Sequence, residues 1–162
     1  MLVGTDGHCK IACFGLSKPG LFHHCKASTQ CGMLFCMAPE IVKNLPYGQG
    51  VECWAVGVMI YDEMMTGHPP FYYNEREDMY DDNEQDKLGQ NILNDEVDFP
   101  EDMSLAAVST VMKLLMKNPA KRLGSNSSID TVQQHPSFKG IDWQALQEKW
   151  AKPPEKEKVE KK

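Results

Sequence analysis

Apolar residues recur through the middle of the chain at helical intervals. Trp54, Val58, Tyr61 and Met65 are spaced four, three and four apart, and Val56, Met59, Ile60 and Met64 fill other faces. A helix that is hydrophobic nearly all round is a buried one, so 51–65 is predicted as the central helix of a core. Gly57 within it costs about 1 kcal/mol relative to Ala, unless a second element approaches closely there. Thr66-Gly67 supplies a stop, and His68-Pro69-Pro70-Phe71 a turn. A second helix is predicted from a cap at Ser104 to about Lys117, with Leu105, Val108, Met112 and Leu115 on one face. Asn118-Pro119 ends it. Shorter helices are predicted at Ala38-Pro39-Glu40-Ile41-Val42, where Pro39 suits a first-turn position, and over 87–93 and 129–134. Another is predicted over 143–149 behind a cap at Asp142, with Trp143, Leu146 and Trp150 sharing a face. Period-2 alternation occurs only near the start: Cys9, Ile11 and Cys13 alternate with His8, Lys10 and Ala12 after the turn pair Asp6-Gly7. Cys9 and Cys13 would then share a strand face as small buried groups. Residues 17–37 show no steady period and read as a long loop, of a length that functional segments favour. The elements add up to a mainly α domain with one small β element at its start.

Composition narrows the picture. With 162 residues, 41% hydrophobic and 25% charged, the chain is long enough to bury a core without disulfides or metals. Its net charge of −6 argues against nucleic acid as a partner, because phosphate binding needs clustered Lys and Arg. The longest apolar run, 54–61, is eight residues and far too short to span a bilayer, so no transmembrane segment is expected. Gly4, Asp6, Gly7 and His8 interrupt any secretory signal. The six cysteines, at 9, 13, 25, 31, 36 and 53, are therefore expected as free thiols in the cytoplasm. His23-His24-Cys25 with Cys31 and Cys36 lacks the paired spacing of a zinc site, and no metal is expected. From 74 to 98 the chain is acidic: Glu75, Glu77, Asp78, Asp81, Asp82, Glu84 and Asp86 face only Arg76 and Lys87. The run reads either as a solvated surface or as a docking surface for basic partners, and it lacks the spacing of a calcium loop. From Lys149 onward, six lysines and three glutamates form a charged tail, expected to be disordered and capable of weak association with an anionic membrane surface.

Several short motifs then fall into one order. Gly7-His8-Cys9-Lys10-Ile11-Ala12-Cys13-Phe14-Gly15 resembles the magnesium-binding segment of a protein kinase, where Asp-Phe-Gly is expected. Cys31-Gly32-Met33-Leu34-Phe35-Cys36-Met37-Ala38-Pro39-Glu40 resembles the end of the activation segment. Val51-Glu52-Cys53-Trp54-Ala55-Val56-Gly57-Val58 is similar to the central helix of the C-terminal lobe. Lys117-Asn118-Pro119-Ala120-Lys121-Arg122-Leu123-Gly124 resembles a later arginine segment, and His135-Pro136-Ser137-Phe138 the edge of the domain. The resemblance covers about residues 4–154 and points to serine/threonine kinases of the AGC branch. Within it the match is to the novel, calcium-independent protein kinase C group, epsilon-like, on Gly7-His8-Cys9-Lys10, Asn91-Ile92-Leu93-Asn94-Asp95-Glu96-Val97 and Gln134-His135-Pro136.

What the resemblance implies is a degenerate C-terminal lobe. Residues 1–150 would form a partial kinase domain, with the N-terminal lobe and catalytic loop absent. Residues 151–162 would resemble the start of the AGC C-terminal extension. The family uses ATP and magnesium, but no cofactor is expected to bind this chain. Neither a G-x-G-x-x-G loop nor a His-Arg-Asp segment occurs in these 162 residues. Cys13 stands at the magnesium aspartate, ahead of Phe14 and Gly15. Magnesium wants hard oxygen ligands, which a thiol replaces poorly. Met33 replaces an activation-segment threonine, and Thr29 falls near the position phosphorylated in active relatives. Ala38, Pro39 and Glu40 keep the segment's last motif. The family's scaffold implies that Glu40 pairs with Arg122. Glu52 replaces an aspartate that holds the catalytic loop, so it would face solvent or an empty socket, and Trp54 keeps its family position. Missing neighbours would leave the flanks of the central helix partly bare, calling for a protein partner. The expectation is a pseudokinase-like remnant. The alternatives are a partial sequence of an active kinase and a binding or scaffold module that competes with a kinase for partners.

Overall fold

The computed structural model describes residues 2–19, 25–72, 82–125 and 130–153. About half of the described residues are helical, with a small two-stranded sheet. The chain divides into two units: Lys18–Lys139, and Met1–Ser17 together with Gly140–Lys162.

The larger unit is built around α2, Gly50–Tyr61, which buries Trp54, Gly57, Val58 and Tyr61. Its last turn widens into a π-helical turn, Asp62–Thr66, and stops where Gly67 takes a φ of 80°. α4, Leu105–Leu114, lies against α2. The reason is Gly57. A Cβ there would sit 2.9 Å from both Leu114 Cβ and Leu115 Cδ2, so only glycine lets the two helices approach this closely. Ser104 caps α4 by accepting the Ala107 amide at 3.2 Å. α3, Asp82–Asn94, begins earlier than the 87–93 predicted and contributes Leu88 and Ile92 to the core. α1, Pro39–Val42, carries Pro39 in its first turn. α5, Asp130–Gln133, leads into a 3₁₀ turn, Pro136–Phe138. The core also holds Ala38, Phe71, Val111 and Leu115, with Trp54 stacked on Phe71 at 5.9 Å. Tyr61 donates its hydroxyl to the Asp98 carbonyl at 2.7 Å, which satisfies its one polar group.

The smaller unit is a hairpin and a short helix. β1, Leu2–Val3, pairs antiparallel with β2, Cys9–Lys10, across a turn in which Gly7 has a φ of 81°. Asp6 accepts the His8 amide at 3.1 Å, which holds its carboxyl below the usual carboxylate range. Asp142 caps α6, Trp143–Gln147, through the Ala145 amide at 2.9 Å.

Three sequence expectations are corrected. The strand over 8–13 shrinks to two residues, and Cys9 and Cys13 are exposed rather than a buried pair. On α4 the predicted stripe is right only in part: Leu115 is buried, but Leu105 is 87% exposed and Met112 54%, and Thr110, Val111 and Leu114 turn inward instead. The contact at Gly57 meets Leu114 and Leu115 and fixes which face is covered. Trp150 is 72% exposed, because α6 ends before it. The acidic residues up to Asp81, the pair His23-His24, Ile129 and the tail from Pro154 lie outside the described residues.

Candidate functional site

Two sets of sequence-predicted residues have definite environments. The first is the pair that closes the larger unit. Glu40 enters on α1, 6% exposed, and Arg122 follows the 3₁₀ turn Pro119–Lys121, 3% exposed. They meet through two parallel hydrogen bonds: Nη1 to Oε1 at 2.7 Å and Nη2 to Oε2 at 2.8 Å. This planar fork is the geometry a guanidinium offers a carboxylate. The remaining donors are also used. Nη1 reaches the Gly50 carbonyl at 2.9 Å and Nε the Met116 carbonyl at 2.9 Å. The guanidinium also lies over the Trp54 ring, 5.2 Å from its centroid. Three segments, α1, α2 and the stretch after α4, are thereby tied to one cation. The two backbone acceptors carry no signal in the sequence, since any residue type supplies a carbonyl. Nearby, Lys117 donates to the Ile92 carbonyl at 2.6 Å and sits over Phe71 at 4.5 Å, and its burial lowers the ammonium's proton affinity. Cys53 is half-buried beside Gly124, and burial pushes its thiol up. Glu52 faces solvent.

The second set is the segment that resembles the family's magnesium-binding one. Cys13 is exposed and takes a left-handed backbone, φ 67° and ψ 69°, just before the 3₁₀ turn Phe14–Leu16. Its side chain caps nothing, and Phe14 is 65% exposed. Among the described residues no group of three His, Cys, Asp or Glu side chains could hold a metal ion. The donor offered here is one soft thiol, so the residues present do not fit magnesium.

The stretch before Ala38 lies in the larger unit. Tyr47 donates its hydroxyl to the Thr29 carbonyl at 2.6 Å, and Ala27 and Tyr47 exchange backbone hydrogen bonds. Met33 is exposed. Between this stretch and α3 runs a groove of about 420 Å³, whose lining includes Leu34, Met37, Val42, Leu93, Gln85 and Asp86.

These motifs have a common source in known proteins. The protein kinase domain family matches residues 1–138. This chain belongs to the protein kinase domain family. Among curated kinases, it is 40% identical to protein kinase C epsilon type of Oryctolagus cuniculus over 165 aligned residues, covering 100% of this chain and 21% of that protein. It is 39% identical to protein kinase C-like 1B of Caenorhabditis elegans, covering 100% of this chain and 22% of that protein. Serine/threonine-protein kinase N2 of Danio rerio is 37% identical over 95% of this chain and 15% of that protein. The chain thus spans about a fifth of the length of these protein kinase C relatives. It is a protein kinase C-like kinase-domain fragment, and no helix among its described residues is long and apolar enough to cross a membrane.

Proposed function

We propose that these residues form part of a C-terminal kinase lobe, with a charged extension from 151, that does not transfer phosphate from ATP. The observation that carries this reading is an exposed cysteine, Cys13, at the position of the family's magnesium aspartate, in no metal-holding group of His, Cys, Asp or Glu among the described residues. Phosphoryl transfer depends on metal charge bridging the phosphate oxygens, and a lone thiol cannot place it. Met33 adds to the loss: it has no hydroxyl with which to orient a catalytic aspartate or a peptide. The six free thiols support a reducing, cytoplasmic setting. The test is incubation of the 162-residue chain with magnesium, γ-labelled ATP and a basic serine peptide, alongside a thermal melt. No label above background and a melting temperature unmoved by nucleotide are expected. Transfer, or a nucleotide-dependent rise in melting temperature, overturns the reading, because a ligand bound only by the folded state must stabilise it.

A second reading, a non-enzymatic binding module, draws on the groove between Leu34 and α3 and on Val56 and Met64, which are 44% and 73% exposed. A protein partner covering such surface would be captured by the intact chain and lost on charge reversal across 75–86.

A further inference from the structure

Ser109, Thr110, His135 and Ser137 form a closed polar cluster between α4 and the Pro136–Phe138 turn. Thr110 is 3% exposed and His135 5%. The Ser137 amide donates to His135 Nδ1 at 3.3 Å. A backbone amide can only donate, so Nδ1 bears a lone pair and the ring is neutral with its proton on Nε2. Nε2 lies 3.4 Å from Ser109 Oγ, which accepts it. Ser137 Oγ donates to the Ala106 carbonyl inside α4 at 2.6 Å, and Thr110 Oγ1 is 3.3 Å from Nδ1. Phe138 packs its ring edge-on to the imidazole at 6.4 Å. One imidazole thus caps the turn and joins it to α4.

We propose that this cluster is a pH-operated clip: neutral His135 holds the Pro136–Phe138 turn against α4, and protonation releases it. The added proton has one place to go, Nδ1. There it replaces the acceptor of the Ser137 amide with a second N–H, and the two donors oppose each other. The resulting cation is buried among hydroxyls, and among the described residues no carboxylate acts on it to offset the charge. The charged group acting on the ring from α4 is Lys113, whose sign opposes protonation. The ionisable side chain of α5, Asp130, is at that helix's opposite end, and Lys139, which closes the turn, is exposed. Burial first, then Lys113, hold the ring's proton affinity below that of an ordinary histidine. The sign follows. The unfolded chain binds the proton more readily, so the clip's contribution is full above the ordinary value of 6.5 and falls as pH drops from there towards the lowered one.

The experiment is amide hydrogen exchange on the full chain between about pH 7.5 and about pH 5, a range in which histidine is the side chain that ordinarily changes charge, with rates corrected for intrinsic exchange. The Phe138 and Lys139 amides, which bond to the His135 and Pro136 carbonyls, are expected to lose protection on acidification ahead of α2. His135→Asn keeps a side-chain oxygen for the Ser137 amide but cannot titrate, and its protection is expected to stay flat. Lys113→Gln removes the opposing charge and moves the transition to higher pH. Unchanged protection in the native chain across the range overturns the clip. So does an acid loss in His135→Asn that matches the native chain. If that variant does not fold, direct titration of the His135 ring decides: a midpoint at or above the ordinary histidine value overturns the proposal.

Discussion

Glu40 and Cys13 both stand in kinase motifs, and the structure treats them very differently. Glu40 is buried, bonded twice to Arg122, and tied through that guanidinium to Gly50 and Met116. Cys13 is exposed, in left-handed backbone, with a side chain that caps nothing. The difference is one of cost. Removing one partner of a buried ion pair strands a charge in low dielectric, whereas changing an exposed loop residue costs the fold little. In this chain the buried scaffold contact is intact, while the position that resembles the family's magnesium site carries an exposed thiol. Stability holds the first in place, and stability has no stake in the second.

That contrast can be pressed by mutation. Arg122→Ala should have the largest effect, a loss of about 3–5 kcal/mol, because Glu40 is left buried and uncompensated. Urea unfolding measures it, and a loss under about 1 kcal/mol would mean water reaches the carboxylate and the pair is not structural. Next comes Gly57→Ala. Its Cβ would meet Leu114 and Leu115 at 2.9 Å, and overpacking should cost about 1–3 kcal/mol despite the better helix propensity. A stabilised variant would show that α2 and α4 do not meet there. Ser104→Ala should cost about 1 kcal/mol by stripping the cap from the Ala107 amide. Smallest is Cys13→Asp. Aspartate tolerates left-handed backbone, so stability should move by no more than about 0.5 kcal/mol. A large change in the melting temperature of that variant would place Cys13 inside the packed structure and erase the contrast.

Local signals were readable where a short stretch of chain decides the outcome. The caps at Ser104 and Asp142, Pro39 in a first turn and the stop at Gly67 all follow from side-chain chemistry within a few residues. The central helix was readable from its apolar surplus. Glu40 and Arg122 were brought together by family resemblance, since no periodicity links positions so far apart. The Gly50 and Met116 carbonyls that complete the arginine's environment gave no sign, and neither did the joining of His135 to Thr110 and Ser109. A buried threonine on α4 is visible in hindsight as the polar member of the inward face.

The sequence by itself determined where the main helices lie and where they are capped, because those properties depend on neighbours along the chain. Tertiary structure alone decided which apolar residues of α4 turn inward with Leu115. Periodicity leaves Leu105, Met112, Val111 and Leu114 all eligible, and the close approach of Leu114 and Leu115 to Gly57 fixes the covered face. It also decided the fate of the alternating run at 8–13. Alternation gives a strand two faces, but a face is buried only when another element covers it, and both Cys9 and Cys13 are exposed.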